Sequence, residues 1–548
     1  MNKLRRAFVL ACIFTPVFFL AVSCKSIKQP GTVFTPLDYT DSDVIQNEIN
    51  LINTLKETEC TKALFRACLL CKNSSQQTDS LVLECAQLVR ENADKAFEQK
   101  EFTKAAGMYK SLASAGIQSD QNNALYAQCV QALLADVPGL KRDEEKLPAT
   151  TADCVNATVT VWVDQGYKVQ NGAGYADIVI GSGFFIDRRG YIITNHHVIA
   201  EMVNPKRKTT CKLYIKLPSD MEKKIPAKVI GYDSVMDLAL LKTEIEPEFV
   251  LELGSSSELD VGDSISAIGT PIGLEGTLTS GIISSVSRQL LTMGKSFQID
   301  AAVNSGNSGG PLIDSNRKVQ AIVFAGMLQY QGLNFAIPVE YLKQELPFLY
   351  SGGELVHSWT GSYGHDKKLR GENKGLEIQY VMPGGSASLS GLAIDDVIVE
   401  ADGIQINSLD DFQNLCMKYP AGTILTCRYE RDGIPDECLV YLEKRPEAPL
   451  KEIFESDFVQ DSFIPIFGIK MLRSSTTNKN LYRIEYVLEG SIADQNGFSE
   501  NDNLELRDIN FYDDSEVFAA VVVVQRRKKG FIDIAMQLAA SYDNPNYF

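Results

Sequence analysis

Ser308 lies in the stretch NSGNSGGPLID, residues 304–314, where glycine, asparagine and serine crowd round one hydroxyl and Pro311 closes the run. Such residues form ordinary turns. They also suit a nucleophile whose neighbouring backbone N–H groups must aim at a developing negative charge, a geometry that excludes most side chains. A serine nucleophile needs a base to take its proton and an acid to orient that base. The chain holds four histidines, His196, His197, His357 and His365. Two stand together in YIITNHHVIA, and Asp237, in YDSVMDLALLK, falls between them and Ser308. Histidine, aspartate and serine in that order point to one chemistry, attack of an activated hydroxyl on a carbonyl carbon.

The elements that must position these groups follow from periodicity. From about residue 155 the period is two. VNATVTVWV, IVIGSGFFID, YIITNHHVI, CKLYIKL, AKVIGYD, LALLKTE, DSISAIG, GIISSVS, KVQAIVFAGM and NFAIP are short strands punctuated by Gly, Pro, Asn and Asp. That pattern predicts an all-β barrel or sandwich. Upstream, residues 46–140 carry apolar residues at helical spacing and predict an α-helical domain. Within it, ADKAFEQKEFTKAAGMYKSLASAGI is placed as one tetratricopeptide-like helical pair.

Downstream the pattern mixes strand and helix. SLDDFQNLCMKY, residues 408–419, reads as a helix, and Asp432-Gly433 as the turn of a hairpin. That register sets Cys427 opposite Cys438 as a hydrogen-bonded pair, where a disulfide would be strained, so free thiols are expected. A similar order recurs over 467–538, with DSEVFAAVVVVQRR read as a helix and FIDIAMQL as a strand. VMPGGSASLSGLAIDDVI and VLEGSIADQNGFSENDNL look like copies of one element, which predicts two related α+β domains, 355–445 and 457–545.

Length and composition agree with a multidomain chain. At 548 residues it exceeds what one core can hold. Hydrophobic residues make up 45% and charged residues 22%, as in ordinary globular protein. A net charge of −17 without a long basic run argues against a nucleic-acid partner. MNKLRRAFVLACIFTPVFFLAVSCKS has a basic start, an apolar stretch and small residues before Cys24. Residues 1–24 therefore read as an export signal whose ending, LAVSC, resembles a lipobox, with Cys24 as the lipidated membrane anchor. Residues 25–45, rich in Pro, Thr, Ser and Asp, read as a linker. Cys60, Cys68, Cys71 and Cys85 cluster in the helical region, as buried thiols or a helix–helix disulfide rather than a metal site.

GSGFFIDRRGYIITNHHV, DLALLK, AIGTPIGLEGTLTSGIIS, DAAVNSGNSGGPLID and LNFAIP, in this order over roughly 175–340, resemble the trypsin-like proteases of the HtrA (Deg) family. The resemblance implies a chymotrypsin-like double β-barrel protease core over 150–350. The family pattern Thr-Asn-x-His-Val puts the base at His197, with His196 in the variable slot. It makes Asp237 the orienting acid, Ser308 the nucleophile, and the backbone N–H groups of Gly306 and Ser308 the oxyanion hole. Ala302, six residues before the serine, would floor the first specificity pocket and favour small or medium apolar side chains. Asp300 matches a family acidic residue and is given no catalytic role.

The two C-terminal domains resemble PDZ modules, which bind an extended C-terminal peptide by strand addition. The candidate peptide-binding loops are SWTGSYG, with Thr360 and Gly361, and PIFGIKM, with Phe467 and Gly468. Thr360 departs from the usual hydrophobic-glycine pattern. The resemblance as a whole implies an envelope serine endopeptidase, without metal or organic cofactor, cleaving unfolded or misfolded proteins as a homotrimer. Two alternatives are a regulatory protease activated by peptide binding at the PDZ domain, and a chaperone or binding protein with a latent triad.

Overall fold

The computed structural model describes residues 34–74, 78–140, 147–170, 173–205, 211–270, 276–290, 293–304, 306–326, 333–527 and 531–548. The signal segment and Cys24 lie outside them. The chain divides into two compact units, residues 1–127 with 357–548, and residues 128–356. Among the described residues no helix is long and apolar enough to cross a membrane.

The helical region contains α1 (Ser42–Thr58), α2 (Cys60–Asn73), α3 (Asp79–Glu98), α4 (Phe102–Ser114) and α5 (Ser119–Leu134). Asp41 caps α1 by accepting the Asp43 N–H at 2.8 Å, so the helix starts inside the stretch read as linker. Helices α3 and α4 form the expected pair. Ala93, Ala96, Ala105 and Ala106 are buried, and the Tyr109 hydroxyl donates to Asp94 at 2.6 Å. Cys60, Cys68, Cys71 and Cys85 are free thiols, so of the two readings the structure takes the unbridged one.

The second unit begins its core at α6 (Thr151–Asn156), which has a full capping box between Thr150 and Asp153. Six strands follow: β1 (Thr158–Gln170), β2 (Ala173–Asp187), β3 (Tyr191–Thr194), β4 (Lys212–Leu217), β5 (Asp220–Asp233) and β6 (Leu238–Thr243). They pair in the order β5-β4-β1-β2-β3-β6, and β5 also pairs with β6, which closes a barrel. Helix α7 (His196–Val203) interrupts this set after β3.

A second closed barrel, in the order β10-β11-β12-β9-β8-β7, is made by β7 (Ser264–Gly269), β8 (Thr277–Arg288), β9 (Ser296–Ile299), β10 (Pro311–Ile313), β11 (Val319–Gly326) and β12 (Asn334–Pro338). Strands β9 and β10 are absent from the sequence reading. At four and three residues they are too short to display a period of two. Helix α8 (Val339–Ser351) and the short β13 (Gly353–Glu354), parallel to β5, complete the unit.

The first C-terminal domain comprises β14 (Ser358–Trp359), β15 (Ser362–Leu369), β16 (Glu372–Val381), α9 (Ser386–Leu389), β17 (Val397–Ala401), β18 (Ile404–Gln405), α10 (Leu409–Cys416), β19 (Ile424–Arg431), β20 (Ile434–Tyr441) and β21 (Glu443–Lys444). Its sheet runs β15-β16-β17-β19-β20, leaving β15 at an edge. Ser408 caps α10 by accepting the Asp411 N–H at 3.1 Å. Asp432 and Gly433 turn the β19–β20 hairpin with φ of 52° and 77°, and Cys427 faces Cys438 as two buried free thiols.

The second domain comprises α11 (Pro449–Ser456), α12 (Val459–Phe467), β22 (Ile469–Arg473), β23 (Leu481–Val487), α13 (Ile492–Gln495), β24 (Asn503–Tyr512), β25 (Val517–Arg527) and β26 (Phe531–Ser541). Its strands pair in chain order. The two copied sequence elements fold alike. Ile378 and Ile484 each donate to the carbonyl of an aspartate, Asp396 and Asp502. Those carboxylates cap the turn before, at Ala393 and Ser499.

One expectation fails. DSEVFAAVVVVQRR is a strand, not a helix. Phe518, Ala520, Val522 and Val524 are fully buried on one face while Val521 and Val523 are half-buried, a period of two. Four consecutive β-branched valines resist the helical χ1 and favour the pleat.

Candidate active site

Three turns of the second unit deliver the candidate residues. His197 is the second residue of α7, just past β3. Asp237 sits in the tight turn between β5 and β6, with a left-handed φ of 58°. Ser308 precedes β10, so the first barrel supplies His197 and Asp237 and the second supplies the hydroxyl.

Asp237 grips His197 with both carboxylate oxygens. Oδ2 lies 2.7 Å from His197 Nδ1, and Oδ1 accepts the His197 main-chain N–H at 2.8 Å. The Asp237 carbonyl is held in turn by the Asn195 amide at 2.8 Å and the His196 N–H at 3.2 Å. Upstream, Asp233 Oδ1 accepts the N–H groups of Val235 and Met236, which shapes the turn. Burial alone would raise the Asp237 pKa, but the His197 charge and hydrogen bonds outweigh it and hold the carboxyl below its usual range. A carboxylate at Nδ1 leaves the other ring nitrogen free to face a substrate.

His196, the neighbouring histidine, turns the other way. Its ring stacks on Tyr232 at 5.2 Å and is buried. The Ser308 hydroxyl donates to the Phe324 carbonyl at 3.4 Å, and no hydrogen bond joins it to His197. The acid–base link is therefore closed while the base–nucleophile link is open.

Two glycines beside Ser308 are required by close backbone packing. Gly309 has a φ of 86°, and a Cβ there would lie 2.2 Å from the Ser182 carbonyl. At Gly310 a Cβ would strike the Ile268 carbonyl at the same 2.2 Å. The serine turn is thus wedged backbone to backbone between both barrels, a tighter requirement than a free turn makes. Ser182, a residue the sequence reading does not single out, is the hinge of that wedge. Its N–H donates to the Ser308 carbonyl at 2.8 Å, its Oγ donates to the Gly306 carbonyl at 2.6 Å, and its Oγ accepts the Thr270 N–H at 2.9 Å. The signal for it was a small polar residue inside GSGFFID, where a strand otherwise buries apolar side chains.

Family models match three of these regions and one more. Residues 181–322 match the trypsin-like peptidase domain, 367–441 a PDZ domain, 450–542 the TP0546 family PDZ domain, and 43–133 a domain of unknown function (DUF8517). A putative serine protease HhoB from Synechocystis is 35% identical over 288 residues, 49% of this chain and 67% of that protein. A probable periplasmic serine endoprotease DegP-like from Marinomonas is 30% identical over 345 residues, 59% of this chain and 69% of that protein.

The chain belongs to the DegP-like family of serine proteases. Other DegP-like relatives, at 32% and 33% identity, are matched over 57% and 52% of their own length, so the chain spans little more than half of them. Among solved structures, an HtrA-type protease AlgW with decapeptide is 24% identical with a TM-score of 0.45, over 54% of this chain and 99% of that one.

The remaining candidate residues of this DegP-like chain separate into two groups. Ala302 is exposed beside the serine turn, its carbonyl accepting the Thr279 hydroxyl at 2.8 Å. Asp300 accepts the Ile282 N–H at 2.7 Å and splices β9 to β8. Thr360 and Gly361 form a loop before the edge strand β15, with Gly361 at φ 79°. Phe467 and Gly468 serve the core instead. Phe467 is buried against Phe463 and Phe518, and a Cβ on Gly468 would lie 2.1 Å from Ser491. Because the expected helix is β25, no helix follows β24 among the described residues to wall a groove beside β22.

Proposed function

We propose that this chain is a serine endopeptidase acting through Ser308, His197 and Asp237. The observation that carries the reading is the two-point grip of Asp237 on His197, set on one barrel beside the glycine-wedged serine of the other. Ser308 Oγ attacks a peptide carbonyl while His197 Nε2 takes its proton. The N–H groups of Gly306 and Ser308 receive the oxyanion. His197 then gives the proton to the leaving amine, and the acyl-enzyme is cleared by a water that His197 deprotonates. Asp237 stabilises the imidazolium without itself becoming protonated.

With no charge at Ala302, cleavage follows small or medium apolar residues, which unfolded proteins expose. Three further parts belong to the same reading. The chain is exported and held to a membrane at Cys24, works as a homotrimer, and divides as 25–45 linker, 46–140 helical, 150–350 protease, 355–445 PDZ and 457–545 PDZ-like. The open Ser308–His197 link favours a second reading, a regulatory protease whose hydroxyl must swing from Phe324 to His197 on activation.

The test compares the purified ectodomain with its Ser308→Ala twin on an unfolded model protein, beside a fluorophosphonate label. Loss of a triad serine lowers turnover by about 10⁶. Cleavage and labelling by the wild type alone support the endopeptidase. Labelling without cleavage supports the regulatory reading. Neither would sink both and leave a binding protein.

A further inference from the structure

The edge strand β15 is not bare. Residues 546–548 lie along it antiparallel. Ser362 N–H donates to the Phe548 oxygen and Phe548 N–H to the Ser362 oxygen, each at 3.0 Å, and Gly364 N–H donates to the Asn546 oxygen at 3.2 Å. Tyr363 and Tyr547 form the bridge between them. This is strand addition to a sheet edge.

The side chains fit as a ligand fits. Phe548 is 4% exposed and enters the core of the 357–445 domain beside Leu376, Ile378, Leu409 and Leu415. Its ring meets Phe412 of α10 edge-on at 5.3 Å. The Thr360 hydroxyl donates to the Phe548 oxygen at 2.8 Å, so the residue that departs from the hydrophobic-glycine pattern supplies a donor there. From α10, Gln413 Nε2 donates to the Pro545 oxygen at 2.7 Å, and Arg445 reaches the Tyr547 oxygen at 3.2 Å and the Asp543 carboxylate at 2.6 Å.

We propose that the peptide groove between β15 and α10 is filled by the chain's own residues 543–548, so that an outside peptide binds there only by displacing them. This goes beyond the proteolytic reading and does not depend on it. A tethered occupant acts at an effective concentration on the order of millimolar, which masks the groove without abolishing it.

The test uses the full chain carrying Ser308→Ala, so that nothing is cut, and a fluorescein-labelled peptide DNPNYF as probe. Anisotropy titration is expected to give at least about tenfold tighter binding to the Phe548→Asp chain than to the unsubstituted one. Hydrogen exchange supplies a second readout. The Ser362 and Gly364 amides are expected to be protected in the unsubstituted chain, to exchange at least about tenfold faster in Phe548→Asp, and to regain protection when the probe saturates it. If Phe548→Asp does not fold, Phe548→Ala, which empties the aromatic site but keeps the backbone, takes its place. Equal probe affinity for both chains, binding to neither, or unprotected Ser362 and Gly364 amides in the unsubstituted chain would each overturn the proposal.

Discussion

At the scale of single residues, the site depends on a side chain that never touches substrate. Ser182 ties the serine turn to the first barrel through two hydrogen bonds, to the Ser308 and Gly306 carbonyls, and its Oγ accepts a third from the Thr270 N–H just past β7. Removing its hydroxyl leaves the Gly306 carbonyl and the Thr270 N–H without that buried partner, a cost of roughly 1–3 kcal/mol. The turn then loses its fixed position relative to His197. Ser182→Ala is expected to lower kcat by about 10–100-fold with KM within about twofold, because donors that meet the transition state are displaced while ground-state binding is kept. Ser182→Thr, which restores the hydroxyl, should recover part of the loss. Steady-state kinetics on one peptide substrate checks both. A raised KM with unchanged kcat would show that Ser182 only shapes the binding cleft.

At the scale of elements, the legible and illegible parts divide along physical lines. Ser308 and His197 were readable because glycine, asparagine and proline stand beside them, whose backbone needs show in the sequence, and Asp237 through its place between them in DLALLK. The repeat in the C-terminal domains was readable for the same reason. The strand β25 was not. DSEVFAAVVVVQRR carries Ala-Ala and charged ends that suit a helix, and against them stand its four β-branched valines and the burial alternation that sheet pairing imposes.

The junction of α12 with β16 shows a second tertiary effect. Asp457, 6% exposed, accepts the Tyr380 hydroxyl at 3.0 Å and the Phe458 N–H at 2.7 Å. Burial pushes its carboxyl up to about 6 against the lowering pull of those two bonds. A folded pKa above the unfolded one means the fold favours the protonated form. That stability is complete below about pH 4 and is lost as pH rises through about 6, on the order of 2 kcal/mol. Asp457→Asn removes the titration, so the Tm of the variant minus that of the wild type is expected to grow between pH 4 and 7. A difference constant over that range would mean that Asp457 is solvated in the protein.

At the scale of the whole chain, the helical region is no free appendage. Helix α4 lies on the first PDZ domain, and the contact is made by residues that amphipathic reading passes over. Gly107 abuts Pro420 and Thr423, where a Cβ would come within 2.9 Å and 2.8 Å of side-chain atoms. The Ser111 hydroxyl accepts the Ile424 N–H at 2.9 Å, Lys110 pairs with Asp402, and Phe65 of α2 stacks on Tyr441 at 5.7 Å. Glycine, serine and lysine at a helix face signal solvent when the sequence is read alone. They make an interface here because the partner strand begins 313 residues later and presents a backbone N–H to be satisfied. Gly107→Leu overfills this contact without altering the apolar stripe of α4, and leucine is the better helix former. It is expected to keep the helical signal in circular dichroism and to split the unfolding of the first unit into two transitions, with the helical region becoming sensitive to limited proteolysis. If α4 and the PDZ domain still unfold together, the burial at Phe65 and Tyr441 holds the interface by itself and Gly107 only fits it.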